Sequence, residues 1–183
     1  MKILTFNAQS EEIMGTGTAV LYTDSSVITS GKPLFLPDWS KAFATQVALG
    51  VRICRLGKHV ALRFAHRYWD AATMCLVTTS TDDQRHDALS QAFDGAIAQG
   101  KWVQMQHPAI IKPEVRFNGQ VWTLPSLSLE ELVNKAIVAA SERMTIKMGD
   151  IFCLKLGQPR DIAIGDTLTG KINEQEILSI RIK

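Results

Sequence analysis

The densest group of residues able to bind a metal or move a proton is Asp82, Asp83, His86 and Asp87, within Thr81-Asp-Asp-Gln-Arg-His-Asp87. Carboxylates and an imidazole this close can share a cation or act as a general base. The same residues also suit a solvated link into a helix, with Thr81 or Asp82 as N-cap and the acids favoured by the helix dipole, which is the preferred reading. His66, near Tyr68, Trp69 and Asp70, could enter a hydrogen-bonded pair or be a structural residue at a helix end, while His59 and His107 read as surface residues. Glu130 and Glu131 are accounted for by helix capping rather than catalysis. The sequence contains no nucleophile elbow, Ser/His/Asp order, phosphate-binding glycine loop or Cys/His metal spacing.

The elements that would position such groups can be read from periodicity. Between Thr45 and Arg55, Val47, Leu49, Val51 and Ile53 alternate with Gln46, Ala48, Gly50 and Arg52, the period of two expected of a half-buried strand. Short strands are expected at Lys2 to Phe6, Ala19 to Tyr22, Met74 to Thr79 and Ile151 to Leu156, and a final pair at Thr167 to Ile172 and Glu176 to Ile182. Val60 to Tyr68 and Ala88 to Ala98 suit short helices. Asn118-Gly119, between alternating residues, predicts a type I′ hairpin because both turn residues need positive φ. Ser128-Leu-Glu-Glu131 predicts a capping box, and Leu129, Leu132, Val133, Ala136, Ile137 and Ala140 then share one face of a helix of roughly 14 residues.

Composition narrows the functional class. With 46% hydrophobic and 21% charged residues, the 183-residue chain has the balance of a globular protein rather than a disordered one. A formal charge of +2 with scattered basic residues argues against a nucleic-acid partner. Cys54, Cys75 and Cys153 lie far apart among apolar neighbours and read as buried free thiols of a reducing compartment. The N-terminus lacks the pattern of a signal peptide, and no apolar run nears the roughly 18 residues of a membrane span. A soluble cytoplasmic protein without a membrane partner is the expectation.

Several motifs, taken in order, resemble the fumarylacetoacetate hydrolase family. Gln91-Ala-Phe93-Asp94-Gly95, followed by Gly100 and Trp102, resembles its Lys-Ser-Phe-Asp-Gly segment. Phe117-Asn118-Gly119-Gln120 is similar to its Val-Asn-Gly-Glu hairpin, and Ser141 to Ile151, with Met144-Thr145 and Gly149-Asp150-Ile151, to the signature after its helix. Gly165-Asp166 matches its late turn. Gly31-Lys32-Pro33, Leu36-Pro37 and the Gln46 strand fall in the family's order upstream, and the resemblance runs from about Lys2 to Lys183.

The resemblance implies an α+β fold, a mixed β-sheet roll or barrel with one long helix, as a single domain over 1–183 whose residues 1–30 form a divergent N-terminal arm. It implies a homodimer with a small-carboxylate ligand. It also locates departures. The family's two strand glutamates correspond to Gln46 and Ala48, its third carboxylate to Thr73, and its lysine to Gln91. A one- or two-residue slip would bring Asp70 near the third position. The histidine of the family's lid dyad falls near Glu11, and its Thr-Gly-Thr-Pro loop becomes Leu154-Lys-Leu-Gly-Gln-Pro159. Hard divalent cations need anionic oxygens, so neither a metal nor another cofactor is expected. The leading expectation is a non-catalytic relative that keeps a small-carboxylate pocket. The alternatives are a metal-independent hydrolase, decarboxylase or isomerase of a keto acid, with Gln46, Thr73 and Gln91 as neutral hydrogen-bonders and Arg52, Arg67 or Lys155 as anion clamp, and a dimeric interaction module.

Overall fold

The computed structural model describes residues 1–7, 19–83, 91–109, 111–124 and 128–183. Two strands dominate it, β4 (Phe43–Ile53) and β5 (Trp69–Ser80), paired antiparallel over nearly their whole lengths. Among the described residues the larger sheet runs β2 (Val20–Tyr22), β1 (Ile3–Asn7), β10 (Ile151–Lys155), β4, β5, β6 (Ile97–Gln99) and β3 (Val27–Thr29). Here β11 (Arg160–Ile162) pairs with β4, and β7 (Val103–Gln104) with β5. The sheet is mixed, because β1 runs parallel to β10 and β3 parallel to β6. A second sheet, β13 (Gln175–Arg181), β12 (Thr167–Ile172), β8 (Pro113–Phe117) and β9 (Gln120–Trp122), is antiparallel throughout. The α-helices that lie wholly within the described residues are α1 (Leu62–Ala65) and α2 (Leu129–Arg143), so the long helix has a short companion.

Along β4 the alternation is present, but its consequence differs from the half-buried strand expected. Only Gln46 and Arg52 are partly exposed and every other residue of the strand is buried, because β4 lies inside the sheet with both faces covered. One face carries Val47, Leu49 and Val51, in register with Leu154, Phe152, Met74 and Ala72. This face meets α2, whose Ala139 and Ala140 lie by Leu4 and Phe6, and the second sheet, where Gly170 packs on Met74. The opposite face carries Gln46, Ala48, Gly50 and Arg52.

The strand expected at Lys2 to Phe6 forms as Ile3–Asn7, between β2 and β10, with Ile3, Leu4, Thr5 and Phe6 buried. Asp150 secures it. Its Oδ1 accepts from the Lys2 amide at 2.9 Å, its Oδ2 from the Lys147 amide at 2.8 Å, and Lys2 Nζ lies 2.6 Å from Oδ2. The Asn118-Gly119 hairpin forms as expected, with φ of 48° and 79°.

Other expectations are corrected. Val60 to Tyr68 gives only one turn of α-helix before a 3-10 turn at His66–Tyr68, since the long β5 begins at once and Cys54 N donates to Tyr68 O. Residues 84–90, with His86 and Asp87, lie outside the described residues. The helix expected to continue to Ala98 does not, because Gly95 turns the chain at φ 84° and Ile97–Gln99 extends as β6 to cover the edge of β5. The helix start expected to be capped by Thr81 or Asp82 lies outside the described residues, and Asp82 is held by residues 40, 41 and 80. Its carboxylate accepts from the Ser40 hydroxyl, the Lys41 amide and the Ser80 hydroxyl, and these bonds hold its pKa down to about 2. Ser128 occupies the N-cap of α2, but without a side-chain cap bond, and the capping box is absent. Glu131 instead pairs with Lys135 and Glu130 reaches back to the 107–109 segment. Cys54 is half-buried rather than buried, whereas Cys75 and Cys153 are buried, and all three are free thiols. Among the described residues, no helix is long and apolar enough to cross a membrane.

Candidate functional site

Strand register brings the residues singled out by sequence onto one face of the large sheet. Because directly paired residues point the same way, the face can be followed row by row. One row runs Asn7, Lys155, Ala48, Cys75 and Gln99. The next runs Thr5, Cys153, Gly50 and Thr73, and the one beyond it Ile151, Arg52 and Ala71. Gln46, opposite Val77, lies on the other side of the Ala48 row.

Gln46, Ala48 and Thr73 thus share a face, but they do not converge as donors. The Gln46 amide donates from Nε2 to the carbonyl of Gly157 at 2.6 Å, tying β4 to the loop after β10. Ala48 offers a single methyl and is fully buried. Thr73 is also fully buried, and its hydroxyl donates to the Met74 carbonyl at 3.4 Å. Its methyl and the Cys75 sulfur each lie 2.8 Å from where a Cβ on residue 50 would stand, so glycine is required there by crowding. Gln91 is half-buried ahead of the Phe93–Gly95 turn, at a position outside the strands of the sheet. Glu11 lies outside the described residues.

The acid that a slip in register would bring toward the Thr73 position is already engaged. Asp70 receives two bonds from Arg52, Nε to Oδ1 and Nη2 to Oδ2, both 3.0 Å. The guanidinium also lies 5.8 Å from the Trp102 ring centre, and the Asp70 bonds hold the Arg52 pKa above its ordinary value despite partial burial. Among the described residues, no three His, Cys, Asp or Glu side chains gather closely enough to hold a metal ion. The donors on this face, an occupied amide, a methyl and a buried hydroxyl, do not suit a hard divalent cation.

Of the three cations considered as anion clamps, the structure separates one. Arg52 is neutralised by Asp70, and exposed Arg67 lies over the Phe64 ring at 5.1 Å. Lys155 is half-buried beside Ala48, has no hydrogen-bond or ion-pair partner among the described residues, and has its pKa lowered by burial. The thiols are poor nucleophiles by comparison. Contact with the Cys153 thiol and burial push Cys75 well up, and burial raises Cys54.

Sequence reasoning misplaced His107 at the surface. Its ring is half-buried, with Nδ1 2.9 Å from Glu130 Oε1, Nε2 3.0 Å from the Trp69 carbonyl, and the Trp69 ring edge-on at 4.5 Å. Glu130 Oε2 also accepts from the Ala109 amide at 2.6 Å. These bonds join α2 to the start of β5 and account for both residues structurally. His66 meets His107 edge-on at 5.9 Å rather than pairing with Asp70. Ser141 is likewise structural, accepting from the Val60 amide at 2.9 Å and donating to the Val138 carbonyl.

No protein-family model matches the chain, and no curated protein matches it in sequence. Solved structures do. A fumarylpyruvate hydrolase from Pseudomonas aeruginosa, in complex with Mn2+ and pyruvate, superposes with a TM-score of 0.84 at 13% identity, over 100% of this chain and 89% of that one. A 5-carboxymethyl-2-hydroxymuconate delta-isomerase from Mycobacterium smegmatis gives 0.83 at 21%, over 99% and 78%. A 2-hydroxyhepta-2,4-diene-1,7-dioate isomerase from Mycobacterium marinum gives 0.79 at 20%, over 99% and 73%. The chain has the fumarylacetoacetate hydrolase fold, shared with proteins named as hydrolases and isomerases.

Proposed function

We propose that this protein binds a small carboxylate, of the 2-oxo acid class, on the β4–β5–β10 face without a divalent cation. The observation that carries this reading is Lys155, a half-buried amine without an acidic partner among the described residues, standing opposite Ala48. The resemblance assigns the family's metal ligands to Gln46, Ala48 and Thr73, none of which brings negative charge. An ammonium there supplies the positive charge that a ligand carboxylate requires, and the low-dielectric surroundings strengthen that attraction. Similar folds whose names describe action on keto or hydroxydienoic diacids support the choice of ligand class. On this reading the metal-dependent hydrolase chemistry has been lost.

Thermal unfolding with oxalate, pyruvate or oxaloacetate tests it. Ligand is expected to raise Tm by several degrees in the presence of EDTA, with no further gain from Mg2+ or Mn2+. A response that appears only when metal is added would overturn the proposal.

A further inference from the structure

We propose that Lys155 is a covalent nucleophile toward 2-oxo acids, its Nζ forming an imine with the keto carbonyl of a ligand held on the β4–β5–β10 face. This rests on the binding reading above and adds a bond to it.

Geometry selects Lys155 among the possible nucleophiles of this face. Thr73, Cys75 and Cys153 are fully buried, and the Thr73 hydroxyl donates to the Met74 carbonyl. Lys155, at the end of β10, keeps partial access to solvent. The side chain directly opposite on β4 is only a methyl, which leaves the amine no acidic neighbour in its row. A carboxylate side chain fixed there would hold the nitrogen as ammonium, whereas without one the ammonium that first attracts the ligand can give up its proton and expose a lone pair. Burial acts in the same direction by lowering the Lys155 pKa. Desolvated lysines without a counter-charge are the type that attack carbonyls.

The step balances without an oxidant or reductant. The lone pair of Nζ adds to the keto carbon while the C=O π pair moves to oxygen, which takes up a proton as the nitrogen releases one. The carbinolamine hydroxyl takes a second proton from solvent and leaves as water while the nitrogen lone pair forms the C=N bond, giving the protonated imine. The protonated imine carries a positive charge beside the ligand carboxylate and withdraws electrons from the adjacent carbon. Substrates with a labile proton or carboxylate on that carbon are therefore the class this site would serve.

Reductive trapping tests the bond separately from binding. The whole protein is incubated with pyruvate and cyanoborohydride, and adducts are located by intact mass and peptide mapping, while calorimetry measures binding of oxalate, which has no ketone. The expected result is one reduced pyruvate adduct at Lys155, suppressed by excess oxalate and lost in Lys155→Arg, whose fold is checked by circular dichroism. If oxalate binds but no adduct forms, or adducts scatter over surface lysines, the imine is overturned and the binding reading stands. An adduct at Lys155 that oxalate does not suppress also overturns it, since the amine then reacts outside a ligand site. Failure of both oxalate binding and trapping removes both readings.

Discussion

Lys155 lies directly opposite Ala48 in the β10–β4 register, a half-buried cation facing a methyl group. Desolvating a charge without pairing it costs free energy, so this lysine weakens the fold that holds it.

Replacing Lys155 by Met should therefore stabilise the protein, by about 1 kcal/mol, while abolishing oxalate binding. The advantage has a pH signature. The folded-state pKa is lowered from the ordinary 10.5, so between the folded and unfolded values the unfolded chain binds more protons and wild-type stability rises with pH. The penalty is fully present below the folded pKa. The gap between Lys155→Met and wild type should thus shrink as pH approaches 10.5, measured by urea unfolding across alkaline pH.

Gly50 should tolerate no side chain. A Cβ would meet the Cys75 sulfur and the Thr73 methyl, each at 2.8 Å, inside two fully paired strands. Gly50→Ala is expected to cost about 2 kcal/mol by overpacking. Combining it with Cys75→Ala relieves one of the two clashes, so the double variant should lose less than the sum of the singles. Additive losses in denaturant titrations would contradict the packing account.

Truncating Glu130 should unfasten α2 from the 107–109 segment. Its two oxygens accept from His107 Nδ1 and the Ala109 amide, and Glu130→Ala leaves both partly buried groups without their partner. The expected loss is about 2 kcal/mol. Amide exchange should quicken at Ala109 before it quickens in β4.

Asp150 sets an acid limit. Burial pushes its carboxyl up, but the bonds from Lys2 and Lys147 outweigh this and leave the pKa below the ordinary 3.8. A depressed folded value means the stabilisation is complete above the unfolded pKa and is lost as pH falls through the folded one. Asp150→Asn should therefore be less stable than wild type at neutral pH, and the difference should close below about pH 3.8 in acid titrations followed by fluorescence.

Much of the local architecture was legible because it is local. Asn118-Gly119 needs only two residues with positive φ, and the apolar face of α2 needs only its own spacing. Ends and caps were less legible. Ser128 stands at the N-cap, yet the box it predicts does not close, because Glu130 is drawn to His107 and Glu131 to Lys135. Ile97–Gln99 carries a helical pattern but extends, since the edge of β5 offers hydrogen bonds that Gly95 lets the chain reach.

The candidate site divides in the same way. The sequence by itself determined which atoms are available, an amide at 46, a methyl at 48, a hydroxyl at 73 and no acid between Thr45 and Arg55, because side-chain chemistry does not depend on folding. Only the tertiary structure decided which of those atoms are already spent. Pairing residues distant along the chain turns the Gln46 amide to Gly157 and the Asp70 carboxylate to Arg52, and leaves Lys155 beside Ala48 as the charge on this face without a partner among the described residues.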